Sequence, residues 1–322
     1  MTRLSLLLGA FAVLSVFGST FGRLRAVPPA WRVGFGFFAL TGLLMATAAL
    51  LAAILLPEVL VLNNVGEIWT VCTAAFQVIW RHPLYRPASI LAGLALALLL
   101  GRFTWAIGGS ILATRRARMT FGEATRSLAR GNVFVLDVSD PEAFSVGGRR
   151  GVVVITRGLL DALEEDEGQA VVLHEEGHLK SRHHLLLGVA RATARAMSPF
   201  PPARLALDVL EQAVEESADE YAAAKLGSRL AVATGLSKAA LAGIGARDGA
   251  LSIGDGPDVP ARIRRLIAAP ACPRWVRAAC MVGMFLLLAL VLSTQFVAGL
   301  AIVAAAHHLL GLGTVISCPL FR

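Results

Sequence analysis

The chain has 322 residues, of which 56% are hydrophobic and only 16% charged, with a mean hydropathy of +0.67. That is far too apolar for a soluble protein of this size and implies a polytopic membrane protein carrying one soluble domain. The net charge of +8 does not point to nucleic acid: the arginines flank apolar runs and form no patch interleaved with aromatics, so no direct nucleic-acid binding is expected.

Apolar runs fall at about 2–21, 35–56, 88–108 and 278–300, each long enough to cross a hydrocarbon core. Residues 2–21 read as a retained span, since no small-x-small cleavage site follows Leu4–Phe17. Arg23, Arg25 and Arg32 occupy the first loop, Arg115, Arg116 and Arg118 follow the third run, and Arg274 and Arg277 precede the fourth. The positive-inside rule puts these in the cytoplasm. The loop 57–87, where Glu58 and Glu67 balance Arg81 and Arg86, is then outside together with both termini. Arg102 marks the inner boundary of the third span, where a charge is tolerable. The predicted division is a membrane region at 1–113 with three spans, a cytosolic domain at 114–277, and a last span with a short tail at 278–322. Cys72, Cys272, Cys280 and Cys318 show no C-x-x-C spacing and imply no disulfide framework or cysteine metal site.

Within the cytosolic segment the third span continues as a basic amphipathic helix through Leu128. Two β-rich runs follow, Val133–Val138 and Val152–Thr156, with turns at Asp140-Pro141 and Gly147-Gly148. A short helix is predicted from Gly158 to Glu164. Asp166 is the expected N-cap of the next helix, with Gln169 at its third position. That helix carries Gly168-QAVVLHEEGHLKSRHHLLL-Gly188 and breaks at Ser198–Pro202. A further helix runs from about Ala203 to Leu226 and is closed by Gly227.

His174-Glu175-Glu176-Gly177-His178 is an H-E-x-x-H motif. On a helix the two histidines stand at i and i+4 on one face, and Glu175 is turned about 100° away. Neutral imidazoles suit zinc, and a carboxylate beside the open coordination position can take a proton from the attacking water. A solvated helix face is the plain alternative. A third ligand is needed, and the helix 203–226 offers Glu211, Glu215 and Glu216; spacing does not choose among them. Glu215 and Asp219 share a face, so one can ligate while the other orients an imidazole. His184 competes for the same role, at the last position of the longer H-E-x-x-H-x-x-G-x-x-H pattern. Ser181 stands in place of that pattern's glycine, so the helix is expected to continue and to carry His183 and His184 on its surface.

The runs AFSVGGRRGVVVITRGLLDALEEDEGQAVVLHEEGHLKSRHH, EESADEYAAAKLG and PDVPARIRRL, over about residues 131–268, resemble the zinc-peptidase domain of two related groups of membrane metallopeptidases. One is the BlaR/MecR-type antirepressor peptidases, the other the CAAX-protease and heat-shock membrane proteases. The resemblance implies a mainly α protein: four transmembrane helices plus a cytosolic α+β gluzincin-like domain with a small β-sheet. It implies one zinc per chain held by His174, His178 and Glu215, the last being the first residue of E-x-x-A/C-D. It further implies Glu175 as general base and Asp219 as the aspartate behind a ligand. Arg262 falls in a segment like H-P-x4-R-I, which makes it the expected transition-state stabiliser, although Gly256 replaces that segment's histidine. Three spans before the domain and one after it are like the antirepressor layout. The expected activity is a zinc metalloendopeptidase of the bacterial plasma membrane. Its protein substrate would be a BlaI/MecI-like repressor or, in the heat-shock type, a misfolded membrane protein. A non-proteolytic signalling or scaffold relative is the alternative of another class, and the intact motif argues against it. Val152–Thr156 is expected either as the edge strand on which an extended substrate pairs or as a plain core strand.

Overall fold

The computed structural model describes residues 27–62, 85–126, 133–147, 151–198, 200–242 and 258–268, with a few helical positions between 275 and 283. The predicted span at 2–21 lies outside the described residues, as does nearly all of that at 278–300.

Two helices are long and apolar enough to cross a membrane. α1 is Pro29–Leu62, with its span at Pro29–Ala52; α2 is Tyr85–Arg126, with its span at Arg86–Ala117. They match the runs predicted at 35–56 and 88–108 but extend further at both ends. α1 begins earlier because its first turns are covered by protein: Val33, Phe35, Leu40 and Leu43 are buried. Arg32 is consequently no loop charge. It sits inside α1 at 3% exposure, paired with Glu216 at 2.5 Å.

Next come β1 (Val133–Leu136), β2 (Ala143–Val146) and β3 (Val152–Thr156), in the sheet order β1-β3-β2. β1 runs parallel to β3, and β2 pairs antiparallel to it in the register Phe144↔Val154. The β-branched run Val152–Thr156 is therefore the central strand: of its two expected roles the core strand holds and the substrate-pairing edge is corrected, since a strand buried at four of five positions is flanked on both sides. β2, absent from the predicted elements, is the edge nearest the metal-binding helix.

Thr156 caps α3 (Arg157–Ala162) by accepting from the Leu159 N–H. α4 is Glu165–Lys180, and its N-cap is Glu164, two residues before the predicted Asp166. Glu167 explains the shift, since its carboxylate reaches back to the Glu164 N–H at 2.9 Å and is itself held by Lys238 at 2.7 Å. The expected continuous helix does not form. α4 stops at Lys180, Arg182 takes the left-handed region at φ 52°, and α5 begins at His183 and runs to Ala196. α6 (Pro201–Leu226) starts on two prolines that suit a first helical turn and ends at Gly227, φ 76°. α7 (Arg229–Ala242) and α8 (Val259–Ala268) complete the described chain.

α6 divides two apolar clusters. On one side Leu210 and Val214 pack with Leu40 and Leu43 of α1, Leu99 of α2 and Leu187 of α5. On the other, Ala222 and Ala223 pack with Ile155, Leu159, Val171, Leu236 and Leu266. Each fully buried leucine contributes about 1.5–3 kcal/mol. α4 crosses α6 at Gly177, where a Cβ would lie 3.3 Å from the Ala218 Cα, so the two helices meet almost backbone to backbone. That approach brings the middle of α4 and of α6 within side-chain reach of each other.

Candidate metal centre

His174 and His178, one turn apart on α4, aim their Nε2 atoms at the same point and lie 3.1 Å apart there. The Glu215 carboxylate of α6 completes the triangle, with Oε2 3.5 Å from His174 Nε2 and Oε1 3.5 Å from His178 Nε2. Zinc held by three such atoms at about 2.0–2.1 Å in tetrahedral geometry spaces its ligands about 3.3 Å apart. With one atom from each residue the donors lie within 4.8 Å of one another, a set that could hold a zinc ion. All three residues are buried.

What lies behind each ligand fixes its orientation. His174 Nδ1 is 2.9 Å from Asp219 Oδ1, which assigns the proton to Nδ1 and leaves the Nε2 lone pair for metal. Arg262 of α8, fully buried, grips Asp219 with two hydrogen bonds of 2.8 and 2.7 Å, and its Nη1 lies 3.1 Å from Glu215 Oε2. His178 Nδ1 faces His183 Nδ1 at 3.2 Å. Burial pushes His178 down to about 3 and His183 down to about 4, so both are neutral and one Nδ1–H joins them.

The remaining shifts follow from the same packing. Burial works against a charged His174, yet hydrogen bonds to Asp219 and Glu215 hold it up at about 9. Glu215 and Asp219 are driven upward by burial, but His174, His178 and Arg262 bring Glu215, and Arg262 and His174 bring Asp219, below the usual carboxylate range. Arg262, opposed by burial, is held charged by Asp219 and Glu215. Glu175 behaves differently. Burial pushes it up to about 7, with the Glu215 charge adding to the rise and His174, a Ser145 hydrogen bond and Arg262 only partly offsetting it. A carboxylate poised near neutrality beside a metal site is suited to exchange protons.

Each predicted site residue can now be placed. His174, His178, Glu215, Glu175 and Asp219 come together, and Arg262 stands behind the carboxylates. Of the other α6 acids, Glu211 is paired with Arg191 at 2.7 Å, and Glu216 sits between Arg32 and Arg265. His184 leaves the metal and packs over Gly147 at the end of β2. Three participants escaped sequence reasoning: His183, which the turn at Arg182 swings under His178; Ser145 of β2; and Arg32. A histidine five residues past the motif is the one signal that was visible.

Residues 115–269 match the family model described as peptidase family M48. The chain is similar to the protease HtpX homolog of Thermodesulfovibrio yellowstonii, 35% identical over 68 residues that cover 20% of this chain and 24% of the relative. It is also similar to protease HtpX homolog 2 of Methanosarcina mazei, 32% identical over 93 residues covering 27% and 32%. The protease HtpX homolog of Thermoplasma acidophilum is 48% identical over 54 residues, 16% of each chain. The matched stretch thus spans about a quarter to a third of the length of the first two relatives. No solved structure matches. Residues 115–269, just under half of the chain, thus match the model of peptidase family M48, and the His174, His178 and Glu215 donors within that stretch could hold a metal ion.

Proposed function

We propose that the chain is a membrane-embedded zinc endopeptidase that hydrolyses peptide bonds of a protein substrate at the cytosolic membrane face. The observation that carries this reading is the triangle of His174, His178 and Glu215 donors with the Glu175 carboxylate buried beside it. Zinc bound there supplies Lewis acidity to the scissile carbonyl. Glu175 takes the proton of the attacking water and passes it to the departing amine. Asp219 keeps His174 in its Nδ1–H tautomer, and Arg262 holds Asp219 and Glu215 in place. Arg262 reaches the reaction through those two carboxylates, being fully buried behind them. β2 is the outer strand beside Glu175 among the described residues, and an extended substrate pairing with it would take the role expected of Val152–Thr156.

Of the two substrate classes that the sequence resemblance implies, the heat-shock type, a misfolded membrane protein, accords with relatives named as HtpX homologs. A BlaI/MecI-like repressor is the second reading, and no comparison points to it. Glu175→Gln tests the mechanism: proteolysis should fall about 10²–10⁴-fold while zinc content per chain is unchanged. Unaltered activity would remove Glu175 from its role. Proteins that accumulate in cells carrying this variant would separate a membrane substrate from a soluble repressor.

A further inference from the structure

α5 and α6 form a hairpin whose tip meets the membrane helices. Phe200 and Leu207 join the apolar cluster that contains Leu99 and Phe103 of α2. Arg102 of α2 donates Nη2 and Nε to the Arg195 carbonyl at 2.8 and 3.3 Å. Counted from the outer end of α2 at Tyr85, the 18 residues to Arg102 rise about 26 Å as a helix, most of the roughly 30 Å of a hydrocarbon core, and the apolar stretch Arg86–Ala117 is longer than one such core and runs on past it. The hairpin tip therefore stands where hydrocarbon gives way to headgroups.

A cavity of about 560 Å³ opens at that level, lined by Arg191, Arg195, Arg204 and Glu211 on its polar side and by Phe200 and Leu207 on its apolar side. Glu211 neutralises Arg191. Arg195 and Arg204 are exposed, and among the described residues neither forms an ion pair with a carboxylate. We infer that the cavity binds an anionic phospholipid, with Arg195 and Arg204 on the phosphodiester headgroup and Phe200 and Leu207 along the first part of an acyl chain. Guanidinium forks match phosphate oxygens. A cavity half apolar and half cationic at the boundary takes a ligand with both characters, which a free phosphate lacks. Basic residues at that depth meet anionic lipid in any case. The site is distinct from the metal centre and does not depend on the proposed proteolysis.

The test is native mass spectrometry of the full chain in detergent, titrated with dioleoyl phosphatidylglycerol, dioleoyl phosphatidylcholine or inorganic phosphate. Phosphatidylglycerol should stay bound and phosphatidylcholine should not. Arg195→Gln/Arg204→Gln should weaken phosphatidylglycerol about 30-fold, and inorganic phosphate should fail to displace it. Retained zinc in the variant would show that the fold survives. Three results would overturn the inference: equal phosphatidylglycerol binding by the variant, phosphatidylcholine binding as tightly as phosphatidylglycerol, or displacement by inorganic phosphate, which would make this a site for a soluble anion. Arg204→Glu alone provides a second variant and should weaken binding at least as much as the glutamine pair.

Discussion

Glu216, next in sequence to the proposed metal ligand Glu215, lies between two guanidiniums: Arg32 of α1 on one side and Arg265 of α8, 3.2 Å away, on the other. Gln212 adds a hydrogen bond at 3.1 Å. The side chains of Arg32 and Glu216 are only 4% and 5% exposed. Removing one member of a buried pair costs about 3–5 kcal/mol, chiefly through the charge left behind. The two single replacements should therefore differ. Arg32→Met leaves Glu216 held by Arg265 and Gln212, so its cost belongs at or below about 3 kcal/mol. Glu216→Met leaves two guanidiniums facing each other with no carboxylate between them, at about 5 kcal/mol, a loss of about 10–20 °C in Tm for a unit of this size. Arg32→Met/Glu216→Met removes one cation from that repulsion and should be more stable than Glu216→Met alone. Thermal unfolding of the detergent-solubilised chain reads all three, with zinc per chain measured alongside. Zinc should fall in Glu216→Met, where the turn carrying Glu215 loosens, and persist in Arg32→Met. A double variant as unstable as the sum of the singles would refute the coupling of α1 to the ligand helix.

His183→Phe keeps the volume under His178 but removes the acceptor for its Nδ1–H, and should lower zinc affinity about 10–100-fold in chelator competition. His183→Asn retains an acceptor and should stay close to the unaltered chain; equal losses in both would mean that His183 only fills space. Zinc uptake should also release protons. In the chelator-treated protein His174 titrates at about 9, so at pH 7 it carries a proton that the metal must displace. About one proton should therefore be released per zinc near pH 7, fading above pH 9, and affinity should fall about tenfold per pH unit from 9 down to 7. Calorimetry in buffers of different ionisation enthalpy measures this, and proton-neutral uptake would contradict the Asp219 pairing. The sign for the metal-free fold is opposite: a raised histidine pKa stabilises fully below about 6.5, and that contribution is lost as pH rises through 9.

The helix period made much of the site legible. His174 and His178 share a face because four residues nearly complete a turn, and Glu215 and Asp219 share one for the same reason. The two apolar runs that fall within the described residues were equally plain, each forming one long apolar helix. What stayed hidden depended on partners distant in sequence. Arg32 looks like a flanking positive-inside charge until Glu216, 184 residues away, is brought onto it. The break between α4 and α5 rests on a left-handed Arg182, a conformation that carries no glycine signature. Without that break His183 reads as surface. β2 was missed because Ala143–Val146, with its serine, lacks the β-branched density of Val152–Thr156, and the strand is defined by the register β3 offers it.

The acidic run on α6 shows why spacing alone left the third ligand open. Glu211, Glu215, Glu216, Asp219 and Glu220 are near equivalents in composition, and successive residues turn about 100° around the axis. Their fates are set by which cation waits in each direction. Glu211 meets Arg191 of α5, Glu216 meets Arg32 and Arg265, and Glu220 meets Arg229 at 2.6 Å. Those pairings neutralise three of the five acids before any metal is considered. Glu215 and Asp219 are the two that turn toward α4, where Gly177 lets the backbones close up and the His174 and His178 imidazoles face them. Asp219 is shorter by one methylene and is already clamped by Arg262, so it stops at His174 Nδ1. Glu215, one turn earlier and longer, reaches both Nε2 atoms. The proposed third ligand is thus the acid that α4 faces with two imidazoles, with Arg262 behind it at 3.1 Å.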